Sequence, residues 1–305
     1  MEENDRPDQP LRWSIAQRME FIEFRLVWEG RIKRADLADR FRVTVQQASG
    51  DLGLYETLAP ENLTYDRNAK RFVPSANFSP HFLRSVADRQ LLQLAAIGGG
   101  LVDPAETWFD MLPPIGVVPI PQRSVATTTM RWMLEAIRTG SALEVEYQSL
   151  RSPDPAWRTI APHALGHDGE RWHARAWCPK NREFLDFVLS RISATGKLLP
   201  AAVPPKADRE WFDEVDVVLA PNPGLADGIR QSLAKEYGMT RARLRIRTRV
   251  ALAFYMIEHL KLNLDLRPEQ KHLVLMNKDE VDAACERAKA STRSALREAG
   301  IELGG

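Results

Sequence analysis

The sequence predicts an α+β chain, and three observations carry that prediction. Apolar residues recur at helical spacing through the first third and are followed by two short alternating runs. Alternating runs separated by turn residues dominate the middle, and the last third mixes both periods. At 305 residues, 44% hydrophobic and 27% charged, the chain has the make-up of an ordinary folded protein able to bury two or three cores. The formal net charge of +1 carries no global sign of a nucleic-acid partner, so any such case must rest on local clusters. Only Cys178 and Cys285 are present, far apart, which encodes neither a disulfide framework nor a Cys-rich metal site. No uncharged apolar run approaches the roughly 18 residues of a spanning helix, and the opening MEENDRPDQP is acidic and polar, unlike a signal peptide. A cytoplasmic location is the expectation.

Residues 1–78 read as the first domain. Ile15, Met19, Ile22 and Leu26 mark a first helix, with Gly30 placed to cap it. A second short helix fits Arg34 to Phe41, with Leu37 and Ala38 inward. Thr44-Val45-Gln46-Gln47 is a capping-box pattern, so a third helix starts there and buries Val45, Ala48, Leu52 and Tyr55. Leu63-Thr64-Tyr65 and Arg71-Phe72-Val73 alternate as strands around the loop Asp66 to Lys70. Three helices and a hairpin describe a winged helix-turn-helix. Thr44, Gln46, Gln47 and Ser49 then project from the first turns of the third helix, where such side chains hydrogen-bond to base edges in the major groove. Arg31, Lys33, Arg34, Arg40, Arg42, Arg67, Lys70 and Arg71 can supply phosphate contacts. Two features weigh the other way: acidic residues are about as frequent here as basic ones, and Gly50 and Gly53 each weaken a helix by about 1 kcal/mol. A solvated helix in a protein-binding winged helix remains the competing reading.

Residues 79–123 read as a connector. Ser79-Pro80 starts a helix whose stripe is Leu83, Val86, Leu91 and Leu94 and whose end is Gly98-Gly99-Gly100. From Pro104 to Pro121 the five prolines predict an extended, semi-rigid segment in which Trp108, Phe109 and Met111 seek burial. Ser124 to Gly140 is a further helix, with Met130, Met133, Leu134 and Ile137 inward, opening the domain at 124–203.

In that domain Ala142 to Leu150 alternates, with Leu143, Val145, Tyr147 and Ser149 on one face. Trp157 to Leu165 is the next strand, and Asp168-Gly169 the tight turn before GERWHARAWC, Gly169 to Cys178. The strand period puts Trp172, Ala174, Ala176 and Cys178 on one face and Arg171, His173, Arg175 and Trp177 on the other. One face packs, and the other offers charge: an anion site, or a solvated basic strand. Arg182 to Ile192, REFLDFVLSRI, is a second strand pattern. Strands of this length joined by turns suit a five-stranded barrel.

RWHARAWC followed by a short loop and FLDFVLSRI resembles the WYL domain of bacterial transcriptional regulators. In that family a Trp-Tyr-Leu strand sits in a small Sm/SH3-like barrel, and here Trp172, His173 and Ala174 stand at those positions, only the Trp being literal. Tyr147 and Ser149 belong to the matched pattern, His163, Arg171, His173, Arg175 and Arg191 complete the candidate set, and the resemblance implies that this surface senses an effector, a nucleotide or an oligonucleotide. Pairing of the Tyr147 strand with the Arg175 strand would gather an aromatic platform, a hydroxyl and cations into one patch.

Catalysis finds little support. His163, His167, His173 and Cys178 match no standard zinc spacing, Ser149 with His163 and Asp168 lacks a nucleophile elbow, and phosphate-loop and dinucleotide fingerprints are missing. The carboxylates are scattered rather than clustered for a metal ion. The reading is a binding protein without cofactor or metal.

Pro204-Pro205 open the last domain, 204–305. Val215 to Leu219 and Arg241 to Arg249 read as strands, and Gly224 to Tyr237, Ala251 to Leu260 and Asp279 to Glu298 as helices, a small α+β unit. Arg241, Arg243, Arg245, Arg247 and Arg249 alternate, so one strand face would carry five guanidiniums: either a solvated face or an extension of the effector surface. EYGMTRARLRIRTRVALAFYMIEHL resembles the C-terminal extension of WYL regulators that control phage-defence operons, which implies a homodimer. The expectation is a homodimeric repressor of such an operon, binding an inverted-repeat operator in duplex DNA, with a ligand-sensing adaptor as the alternative.

Overall fold

The computed structural model describes residues 11–83, 87–119, 121 and 123–301. The chain divides into two compact units, 1–121 and 122–305.

In the first unit, α1 (Trp13–Glu29) ends where Gly30 takes the left-handed conformation, φ 66°. α2 (Arg34–Phe41) and α3 (Val45–Leu58) follow, then the antiparallel hairpin of β1 (Leu63–Asp66) and β2 (Arg71–Pro74). Ile32 bridges Phe72 through both backbone bonds and so fastens the hairpin to the α1–α2 turn. The core is Met19, Ile22, Leu26, Leu37, Ala48, Leu52, Tyr55 and Phe72, as a three-helix winged unit requires. Val45, expected inside, is 59% exposed, because the first turn of α3 overhangs the core that begins at Ala48. Ser79-Pro80 caps no helix. The Ser79 N–H donates instead to Asn62 Oδ1, and α4 is described over Ala87–Gly98. Of its expected stripe Leu83 is buried and Leu94 half-buried, but Leu91 is exposed and Gln90 is buried instead, while Val86 lies outside the described residues. Trp108 and Phe109 pack edge-on against Phe24, whereas Met111, expected to be buried, is 83% exposed.

The second unit opens with α5 (Thr127–Thr139), which packs Met130, Met133 and Ile137 on the core as expected, adds Ala136, and leaves Leu134, expected inward, exposed. β3 (Ser141–Tyr147), β4 (Ala156–His167), β5 (Trp172–Cys178), β6 (Glu183–Val188) and β7 (Ile192–Pro200) form an antiparallel sheet in the order β6-β5-β4-β3-β7. β4 is bent: residues up to Ile160 pair with β3, those from Ala161 on pair with β5, and the register shifts at Pro162, which has no N–H to give. The expected strand to Ile192 breaks at the 3-10 turn Leu189–Arg191. That turn joins β6 and β7 although they are opposite edges of the sheet. Four residue steps span at most about 14 Å, so the sheet must curl until its edges approach. The edges are not hydrogen-bonded to each other, so the ladder stays open where a closed barrel was expected.

The remaining elements are α6 (Arg209–Phe212), β8 (Glu214–Pro221), α7 (Asp227–Glu236), β9 (Leu244–Arg249), α8 (Val250–His259), β10 (Leu273–Leu275) and α9 (Lys278–Glu298). A three-stranded sheet, β10-β8-β9, buries Val217, Leu219, Leu273 and Val281. Leu296 of α9 joins Trp177, Phe184 and Ala207, which ties this part to the curled sheet. β9 is shorter than expected because Arg241 and Ala242 are left-handed, φ 52° and 56°, and form a turn. No described helix is long and apolar enough to cross a membrane.

Candidate nucleic-acid interface and effector site

Thr44 Oγ1 accepts the Gln47 N–H at 3.1 Å, which fixes the first turn of α3 and leaves Gln46 and Gln47 exposed. The body of the helix is clamped by the Arg18–Asp51 pair, two parallel bonds of 2.7 and 3.1 Å with both side chains buried. Glu23 is fully buried at the base of the unit and accepts the Tyr55 hydroxyl at 3.0 Å and the N–H groups of His81, Phe82 and Leu83 at 2.7, 2.6 and 2.6 Å. Burial first, and the Glu23 carboxylate second, push the Tyr55 hydroxyl far above its ordinary value. Tyr55 thus stays a neutral donor and pins α3 to α1.

The other DNA-facing candidates divide. Ser49 donates to its own helix, at Val45 O, 2.9 Å, and Arg34 lies over the rings of Tyr65 and Phe72. Arg71 leans toward Asp66 at 4.0 Å, and Arg67 and Lys70 are exposed at the hairpin tip. Arg31 pairs with Asp110, and Arg40 donates to the carbonyls of Ala105 and Glu106, so both are committed within the unit. Gly50 has open space around it.

In the second unit the charged face of β5 is covered. Arg175, 5% exposed, donates to Asp208 at 2.7 and 2.9 Å and to Glu210 at 3.2 Å, with Asp186 at 3.6 Å. Asp208 is wholly buried, caps α6 through the Trp211 N–H and also meets His163 Nε2 at 2.9 Å. Burial alone would raise the Asp208 carboxyl, but His163 and Arg175 hold it below the ordinary carboxylate value. For Glu210 burial prevails and its carboxyl is raised. His173 Nε2 meets Asp168 Oδ2 at 3.0 Å, and Tyr255 of α8 bridges His173 Nδ1 and Asp186 at 3.4 and 3.0 Å. An ionic chain thus runs from Asp168 through His173, Tyr255, Asp186 and Arg175 to Asp208 and His163, with groups from both halves of the unit.

The single patch expected from Tyr147 to Arg175 is not formed, since β4 separates β3 from β5. Tyr147 faces the core against Phe187 and its oxygen accepts the Val188 N–H, on the opposite side of the sheet from Arg175. Ser149 Oγ accepts the Arg151 N–H, while its neighbour Gln148 donates its N–H to Arg191 O, and Arg191 has no ion-pair partner among the described residues. Arg171 is half-exposed and bonded to Asp168. Arg158 lies over Tyr147 and Phe187 with its Nε buried and unpaired. Asp168 serves His173 while His163 serves Asp208, so Ser149, His163 and Asp168 form no triad. His167 lies against Trp172 with the two rings tilted at 51°, and Cys178 lies in the core. Among the described residues no group of three or more His, Cys, Asp or Glu is placed to hold a metal ion.

Sequence reasoning missed Asp186, Asp208, Glu210 and Tyr255. Pro204-Pro205 followed by Asp208 and Arg209-Glu210-Trp211 was a legible cap-and-helix signal. Its pairing with a residue 33 positions earlier had no local sign.

Comparison with known proteins fits this architecture. Residues 14–96 match the BrxR transcriptional regulator winged helix-turn-helix domain, residues 129–195 the WYL domain, and residues 214–281 the BrxR transcriptional regulator C-terminal dimerization domain. The DNA-binding transcriptional repressor CapW of Stenotrophomonas maltophilia is 40% identical over 275 residues, 89% of this chain and 92% of the relative. The protein of the same name from Escherichia coli (strain KTE188) is 36% identical over 281 residues, 90% of this chain and 93% of the relative. That of Pseudomonas aeruginosa is 36% identical over 276 residues, 90% and 92%. The chain belongs to the CapW family of DNA-binding transcriptional repressors, in which a WYL domain lies between a BrxR-type winged helix and a dimerization domain.

Proposed function

We propose that this protein is a cytoplasmic, homodimeric repressor of a phage-defence operon, reading an inverted-repeat operator with α3 and released by an anionic nucleotide or oligonucleotide at the WYL domain. The observation that carries the reading is the exposed Gln46–Gln47 pair on a first turn fixed by Thr44 and clamped by Arg18–Asp51, in a chain of a repressor family. Glutamine makes two hydrogen bonds to adenine in the major groove, and Arg67 and Lys70 on the wing take phosphates. Two copies place two such helices on half-sites about one helical turn apart. The curl of the five-stranded sheet supports an Sm/SH3-like barrel as the sensing module.

On the sensing side, Ser149, Arg191 and Arg171 form the open part of the effector site, and Arg175 is reached only when Asp208 and Glu210 give way. An effector phosphate that exchanges for those carboxylates loosens α6 from β5. It releases DNA only if it binds the DNA-incompetent dimer more tightly. The test is gel-shift titration with duplexes from upstream of the protein's own operon. Tight binding to an inverted repeat, lost when the half-site spacing changes by about half a turn, is the expected result. Binding indifferent to spacing overturns the dimeric reading, and an Arg171→Ala, Arg191→Ala protein that still releases operator normally overturns the effector assignment.

A further inference from the structure

The arginines of the last domain do not share one face. On β9, Arg245 pairs with Asp216 at 2.7 Å and Arg247 with Glu214 at 2.6 Å, both carboxylates of the neighbouring strand β8. Arg249 lies over the Trp211 ring and donates to its carbonyl at 2.7 Å. Arg241 and Arg243 are different: neither has a carboxylate partner among the described residues, and both line a groove of about 450 Å³. The opposite wall is α7, with Arg230 and Asp227. Arg230 pairs with Asp227, yet its Nε is buried with no hydrogen-bond partner. Three guanidiniums and one carboxylate therefore line the groove, an excess of positive charge in a concave site of the size small ligands use.

The backbone points the same way. Thr240 and Arg243 exchange bonds of 3.1 and 3.0 Å around a two-residue turn whose central residues, Arg241 and Ala242, are both left-handed. Asn-Gly takes that conformation freely, whereas Arg and Ala carry a steric penalty there. A strained arginine at a turn tip is accounted for when its side chain, not its backbone preference, is what the position needs.

We propose that the groove between α7 and the 240–243 turn binds a small phosphorylated ligand, with Arg241 and Arg243 gripping adjacent phosphoryl oxygens and Arg230 completing the set. The rest of the lining is the polar Gln231 and the small apolar Ala220, Pro221, Ala234 and Ala242, and contains no aromatic ring. Without a ring to stack a base, the site suits a pyrophosphate or sugar phosphate rather than an oligonucleotide. It is separate from the WYL effector site and does not depend on it.

Calorimetry of the full-length protein with inorganic pyrophosphate at low salt tests the proposal. Wild type binds, and Arg241→Ala with Arg243→Ala weakens binding at least roughly tenfold, since each charged hydrogen bond is worth about that or more. Arg245→Ala with Arg247→Ala leaves it unchanged. A second variant, Arg241→Asn with Ala242→Gly, keeps the turn and relieves its strain: it binds more weakly than wild type yet melts higher, so loss of binding cannot be loss of folding. Absence of heat with wild type, or wild-type affinity in the Arg241 and Arg243 variant, overturns the proposal. So does a loss of binding accompanied by altered mass in light scattering, which would assign these arginines to subunit contact. Binding lost in an Arg171→Ala, Arg191→Ala protein but kept in the turn variants would move the anion to the WYL site.

Discussion

Arg175→Ala probes the ionic centre directly. The guanidinium is 5% exposed and holds Asp208 with two bonds of 2.7 and 2.9 Å. Once it is removed, Asp208, wholly buried, keeps only His163 and the first turn of α6, and Glu210 loses its cation. Breaking a buried pair from one side costs about 3–5 kcal/mol, because the surviving charge stays uncompensated. In a unit of this size each kcal/mol moves the melting temperature by about 2–4 °C, so the expected loss is roughly 6–20 °C. Scanning calorimetry of the full-length protein, read on the transition of residues 122–305, measures it. Arg175→Met with Asp208→Leu removes both charges and should recover much of the loss, since an apolar replacement of a buried pair is often neutral. A single variant within about 2 °C of wild type refutes the reasoning, as does a double variant less stable than the single one.

Three further outcomes follow. Glu23→Leu leaves three N–H groups and the Tyr55 hydroxyl without an acceptor, at about 1–3 kcal/mol each, so the winged unit should melt well below wild type; an unchanged transition would contradict this. Burial lowers His173 below the ordinary imidazole value and outweighs Asp168 and Asp186. The unfolded chain therefore takes up that proton first, and stability present above the unfolded value of about 6.5 is lost as pH falls below it. His173→Gln should flatten the decline in melting temperature between about pH 7.5 and 5.5, and a profile parallel to wild type rejects the assignment. Lys70→Ala should weaken cognate and random duplex alike and reduce the slope of log K against log salt by about one; an unchanged slope removes Lys70 from the phosphate contacts.

Local signals were legible and long-range ones were not. The bounds of α2, the Thr44 cap, the Gly30 stop and the hairpin follow from nearest-neighbour chemistry, and the structure has them where the sequence placed them. Which residue of a helix faces inward was less secure: α5 buries Ala136 rather than Leu134, because the facing sheet sets the rotation. β10 is three residues long, too short for a period to show. On β5, Ala174, Ala176 and Cys178 pack in the core as expected, but Trp172, expected with them, is exposed, and the basic side is buried. The carboxylates that neutralise Arg175 come from α6 and from the facing strand β6, and nothing near Arg175 in sequence announces them. Likewise the alternation from Arg241 to Arg249 looks like one strand, but the first two residues turn away with positive φ.

Base reading by α3 is the central claim, and fluorescence anisotropy on the operator and on random duplex, with wild type and a Gln46→Ala, Gln47→Ala protein, tests it most directly. Both glutamines are exposed and Thr44 holds the turn without them, so the variant should fold as wild type. Each lost base contact costs about 1–3 kcal/mol, so operator affinity should fall at least roughly tenfold while random-duplex affinity stays the same. Equal losses on both duplexes, or none on the operator, would contradict the account.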